Sequence, residues 1–63
     1  MSFEEKRWIF HQIHKYCSDT FYYKHSEQIY RVIQEEYLWL DLRVDEETIA
    51  RIVQEFKDFW GEE

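Results

Sequence analysis

The plainest pattern lies in the last third of the chain. Ile49, Ile52, Val53, Phe56, Phe59 and Trp60 recur at steps of three and four, with Glu47, Arg51, Gln54, Glu55 and Asp58 between them. That period puts the apolar side chains on one narrow stripe of an α-helix and the polar ones opposite. The ends agree with the interior. Asp45 is a good N-cap, Glu46 and Glu47 sit where the helix dipole favours acids, and Gly61 suits the left-handed residue that closes a helix. Val44 and Ile49 stand at the two positions of a hydrophobic staple.

Upstream, a second helix is expected from Ser26 as N-cap to about residue 41, with Ile29, Tyr30, Val32, Ile33, Tyr37, Trp39 and Leu40 spread over a wide arc. A wide arc implies contact on two sides. Glu36 falls inside it, where a buried carboxylate would need a cation or hydrogen-bond donors, and Leu38 points the other way, to solvent. A first helix starts at Ser2, with Glu5 completing a capping box, and carries Phe3, Ile9, Phe10, Ile13, Tyr16 and Cys17 on one side. Trp8 lies off that side. The run 18–25 has an aromatic density that fits a loop or a helical extension equally, and is treated as an ordered connector.

The expected fold is all-α: one domain over residues 1–63, a three-helix bundle with helices near 2–17, 26–41 and 45–60, each roughly 22 Å long. The expected core is Phe10, Ile13, Ile29, Ile33, Tyr37, Leu40, Ile49, Ile52, Val53, Phe56 and Trp60. Residues 37–53 also have the rhythm of a helix-turn-helix, though no glycine marks the turn.

Size limits what such a core can do. A chain of 63 residues buries only about 60 % of its unfolded surface, and one core of this size supplies roughly 3–5 kcal/mol. Cys17 is the sole cysteine, so no internal disulfide reinforces the fold, and a lone thiol suits a reducing, cytoplasmic setting. Association with another chain is the reinforcement that remains. The first residues mix acids with bases and lead into no apolar run, so no signal peptide is expected, and no stretch is apolar enough to span a membrane. At 44 % hydrophobic and 21 % aromatic residues, the chain is too apolar to be a disordered acidic polymer.

The net charge of −6 is unevenly placed. Residues 1–25 carry three acids against four bases and all three histidines, whereas residues 26–63 carry eleven acids against Arg31, Arg43, Arg51 and Lys57. The candidates for an acidic face are Glu35, Asp41, Asp45, Glu46, Glu47, Glu55, Asp58, Glu62 and Glu63. A face of that kind attracts basic grooves and competes with nucleic acid for them, so the expected partner is another protein with a basic surface. The same charge disfavours direct contact with nucleic acid, because Glu46 and Glu47 would meet the phosphates. A dimeric helix-turn-helix DNA-binding regulator is the competing class.

Thirteen aromatic residues exceed what a minimal core readily encloses, and Trp8, Tyr22, Tyr23, Leu38 and Trp39 have no evident internal place. Exposed aromatics mark interfaces, either with a foreign partner or with a second copy in a homodimer. Chemistry offers less. His11, His14 and Cys17 are spaced three apart with His25 beyond, but the outer pair is nearly two turns apart and no second cysteine supports a zinc site. Glu36 with a histidine would make an acid–base pair, yet the chain has no glycine loop, nucleophile motif or room for a cleft. No metal, cofactor or catalytic activity is therefore expected. The reading is a small acidic regulator or inhibitor that binds a protein.

Overall fold

A computed structural model of the chain describes residues 3–37 and 44–61. Among them are three α-helices packed on one another: α1 (Phe3–Lys15), α2 (Asp19–Glu36) and α3 (Glu46–Trp60). This is the expected all-α, three-helix bundle. No helix of the described residues is long and apolar enough to cross a membrane.

The third helix forms as its caps dictate. The Asp45 side chain accepts from the Thr48 amide at 2.8 Å, and Gly61 closes the helix at φ 75° with its amide donating to the Lys57 carbonyl. Val44 and Ile49 are both buried, as a staple requires. Phe59 departs from the expected stripe. It lies about 80° from the stripe's centre at 100° per residue, and is 80 % exposed.

The second helix begins earlier than the sequence suggested. Ser18 is its N-cap, with Oγ accepting from the Phe21 amide at 3.2 Å, and Asp19 occupies the first turn. Ser26 is not a cap: it is buried within α2, on the arc that carries Ile29, Tyr30 and Ile33. The run 18–25 is thus the cap and about the first two turns of α2, and its Phe21 enters the core. At the other end Tyr37 has left helical geometry (φ −122°), so α2 stops short of the expected 41. Residues 38–43 fall outside the described residues, and with them the turn of the helix-turn-helix rhythm expected over 37–53. Leu38, Trp39, Leu40 and Asp41 lie outside the described residues, as does the Ser2 cap.

Ile13, Ile29, Ile33, Ile49 and Val53 are the fully buried side chains at the centre, joined by Ile9, Phe21, Tyr30, Val44 and Ile52. Phe10, Tyr37, Phe56 and Trp60, expected in the core, are half-buried against it, along with Tyr16, Cys17 and Tyr22. Branched aliphatics fill the middle and rings form a jacket. Phe10 stacks on Tyr30 with centroids 4.8 Å apart, and Trp60 stacks on both Phe56 (4.6 Å) and His25 (4.1 Å). Much of the aromatic excess is absorbed in this way. Phe3, assigned to the inner side of α1, is 77 % exposed at the helix start, whereas Gln12 is buried between Ile9 and Ile13.

Candidate functional site

The polar face of α3 is laid out as its period requires: Asp45, Glu47, Arg51, Gln54, Glu55 and Asp58 are all exposed. Asp58 accepts from Gln54 Nε2 at 3.0 Å, one turn away. The Thr48 hydrogen bonds hold the Asp45 carboxyl below the usual carboxylate range, so it stays ionised as a cap. Glu35 is exposed on α2.

Glu46 differs from its neighbours. It is half-buried, and its Oε1 accepts from Lys15 Nζ at 2.5 Å and from the Tyr16 hydroxyl at 2.6 Å. Lys57 Nζ reaches the Tyr16 carbonyl from the same helix at 3.1 Å. The hydrogen bond from Lys15, then that from Tyr16, lowers the Glu46 pKa, and the same contact with Glu46 raises that of Lys15. Glu46 therefore belongs to a joint between α1 and α3 and not to an outward acidic face.

On the opposite side of α3, an open groove runs between α2 and α3. It is lined by Val32, Glu36 and Tyr37 from α2 and its cap, and by Arg51, Ile52, Glu55, Phe56 and Phe59 from α3. Glu36 lies on the wide arc as expected, but in the last turn of α2, where that arc opens into the groove; it is exposed and needs no buried cation. Arg51 Nη2 stands 3.4 Å from the Tyr37 hydroxyl, a long contact. Nothing in the residue pattern joins Glu36, Glu55 and Phe59; the one signal available is the angular offset of Phe59 from its own stripe.

The expected aromatic surface is scattered. Tyr23 is 77 % and Trp8 39 % exposed, while Tyr22 is half-buried with its ring stacked on His14 at 4.3 Å. Burial raises the Tyr22 pKa above that of a free phenol, so its hydroxyl stays protonated. Of the remaining expected site residues, Leu38, Trp39, Asp41, Glu62 and Glu63 fall outside the described residues.

The histidines are separately engaged. His14 Nε2 is 2.6 Å from Asp19 Oδ1, His11 is exposed, and His25 lies flat on Trp60 with Nδ1 buried and without a hydrogen-bond partner among the described residues. The Cys17 thiol donates to the Ile13 carbonyl at 3.0 Å. Among the described residues no three His, Cys, Asp or Glu side chains gather as metal ligands would. Compared with protein-family models, with curated proteins and with solved structures, the chain matches none.

Proposed function

We propose that this protein is a small regulator or inhibitor that acts by binding another protein, presenting its acidic C-terminal half to a basic, nucleic-acid-binding surface. One observation carries the reading: carboxylates of α2 and α3, Glu36 and Glu55, line an apolar groove with an exposed phenylalanine at its edge, and Glu35, Glu47 and Asp58 are exposed on the same two helices. Acids alone are ordinary solvated surface, but acids bordering an exposed ring and an apolar floor match the layout of an interface, a carbon centre with a charged rim. The rim steers a basic partner and the ring supplies contact energy. Its setting is cytoplasmic, in keeping with a sole cysteine that serves no disulfide.

A homodimer is the second reading, favoured by Phe3 and Trp8, which leave α1 with exposed rings away from the groove. Affinity capture from lysate at low salt, with nuclease treatment and mass spectrometry, tests both. Retention of a basic protein that salt releases is the expected outcome. Affinity that is the same at low and high salt overturns the acidic reading, and self-association as the sole result favours the dimer.

A further inference from the structure

We infer that the groove between α2 and α3 receives an amphipathic helix of the partner protein, one whose apolar stripe is bordered by lysine or arginine. The inference rests on the protein-binding reading above and names the form of what binds.

The groove supplies carbon along its floor and negative charge on both banks. Val32, Ile52 and Phe56 are apolar, and Phe59 adds a ring that is 80 % exposed. Glu36 contributes a carboxylate from α2 and Glu55 one from α3. Neither forms an ion pair among the described residues. Where two helices flank an apolar seam with charges, the helix that packs into the seam is chosen by opposite charges at its own flanking positions. Two acidic banks therefore call for a basic helix.

Backbone chemistry separates a helix from an extended peptide. Both walls are helices and present no strand edge, so an extended segment would find no ladder for its own polar groups above an apolar floor. A helix arrives with those groups satisfied. Phosphate-bearing ligands are repelled by the same carboxylates. Arg51, the one cation among the described residues that line the groove, lies beside Tyr37 and leaves the Glu36 and Glu55 banks available.

The test uses the full chain and a synthetic peptide of about 18 residues, five helical turns, made of Leu and Lys at helical spacing. Two controls carry the same Leu and Lys in strict alternation, and Glu in place of Lys. In NMR titration of the isotope-labelled protein, the helical Lys peptide is expected to shift the amides of Val32, Glu36, Ile52, Glu55 and Phe56. Phe59→Ala should weaken binding about tenfold, as loss of an aromatic anchor does, with melting unchanged. The pair Glu36→Gln and Glu55→Gln should weaken it several-fold at low salt, as charge-steered contacts are lost, and leave it unaltered at high salt.

Equal binding of either control, shifts confined to α1, or no effect of Phe59→Ala would overturn the inference. So would a wild-type dimer that Phe59→Ala dissociates, since the groove's occupant would then be a second copy. If the peptide fails while lysate capture still retains a basic protein, and Glu47→Gln with Asp58→Asn abolishes that capture, the groove inference falls and the protein-binding reading stands. Failure of both removes both.

Discussion

Glu46 and Glu55 sit on the same helix, both acids of a helix with a strong apolar stripe, and their surroundings differ completely. Glu46 is held by Lys15 and the Tyr16 hydroxyl, groups that α1 brings to it across the bundle. Glu55 lies in the groove with Glu36, and no ion pair reaches either among the described residues. The α1 side of the molecule thus uses its polar groups on itself, while the α2–α3 side leaves charge and carbon turned outward. Charge count alone does not separate the two. What separates them is whether another helix delivers a cation, a matter of tertiary packing.

The sharpest way to break this contrast is to set a core residue against a groove residue. Ile33→Ala should cost about 2–5 kcal/mol, comparable to the whole stability of roughly 3–5 kcal/mol for a domain this small, and leave the protein largely unfolded by circular dichroism. Phe59→Ala should stay within about 0.5 kcal/mol of wild type in the same denaturation. If Phe59→Ala melts the fold, the ring belongs to the core and the groove is not a free surface.

Caps give the next effect. Ser18→Ala should destabilise by about 1 kcal/mol through loss of the bond to the Phe21 amide, whereas Ser26→Ala, inside the helix, should change stability by no more than about 0.5 kcal/mol. The reverse order in urea denaturation would restore the later start of α2. The tied side also has a flaw that can be repaired. Gln12 Oε1 is buried without a partner among the described residues, so Gln12→Met, close in shape and free of the amide, should gain about 1 kcal/mol in the same assay.

The smallest effect concerns pH. Glu46 has a folded pKa below its ordinary 4.5, so its joint contributes stability above that value and loses it as pH falls through the folded pKa. Lys15 is raised above its ordinary 10.5, so its share is present below that value and disappears as pH rises through the folded pKa. Melting temperature followed from neutral to acid pH should decline less steeply in Glu46→Gln than in wild type. Parallel curves would mean the joint contributes nothing.

Local patterns were legible where cap, staple and period all agreed. Asp45, Val44, Ile49 and Gly61 each act in α3 as the sequence indicated, because every partner they need lies within a few residues. The start of α2 was not legible. Ser18 and Ser26 both offer a capping hydroxyl, and the choice depended on Phe21 finding a place among residues of the other helices. Gln12 was missed because its neighbours, not its own polarity, decide its burial. The groove was invisible for the same reason: Glu36, Glu55 and Phe59 are joined only once two helices have packed.

The contact from Lys57 to the Tyr16 carbonyl bears on the order of assembly. It supplies the Tyr16 carbonyl just past α1 with a donor 41 positions along the chain, a long-range closure added to the local bonds that the Tyr16 amide and the Cys17 thiol make to the Ile13 carbonyl. The two ends should consequently open as one cooperative unit. Native-state hydrogen exchange would register this as equal opening free energies for the amides of His14, Lys15 and Tyr16 and those of α3, with Lys57→Met lowering the first group while α3 keeps its protection.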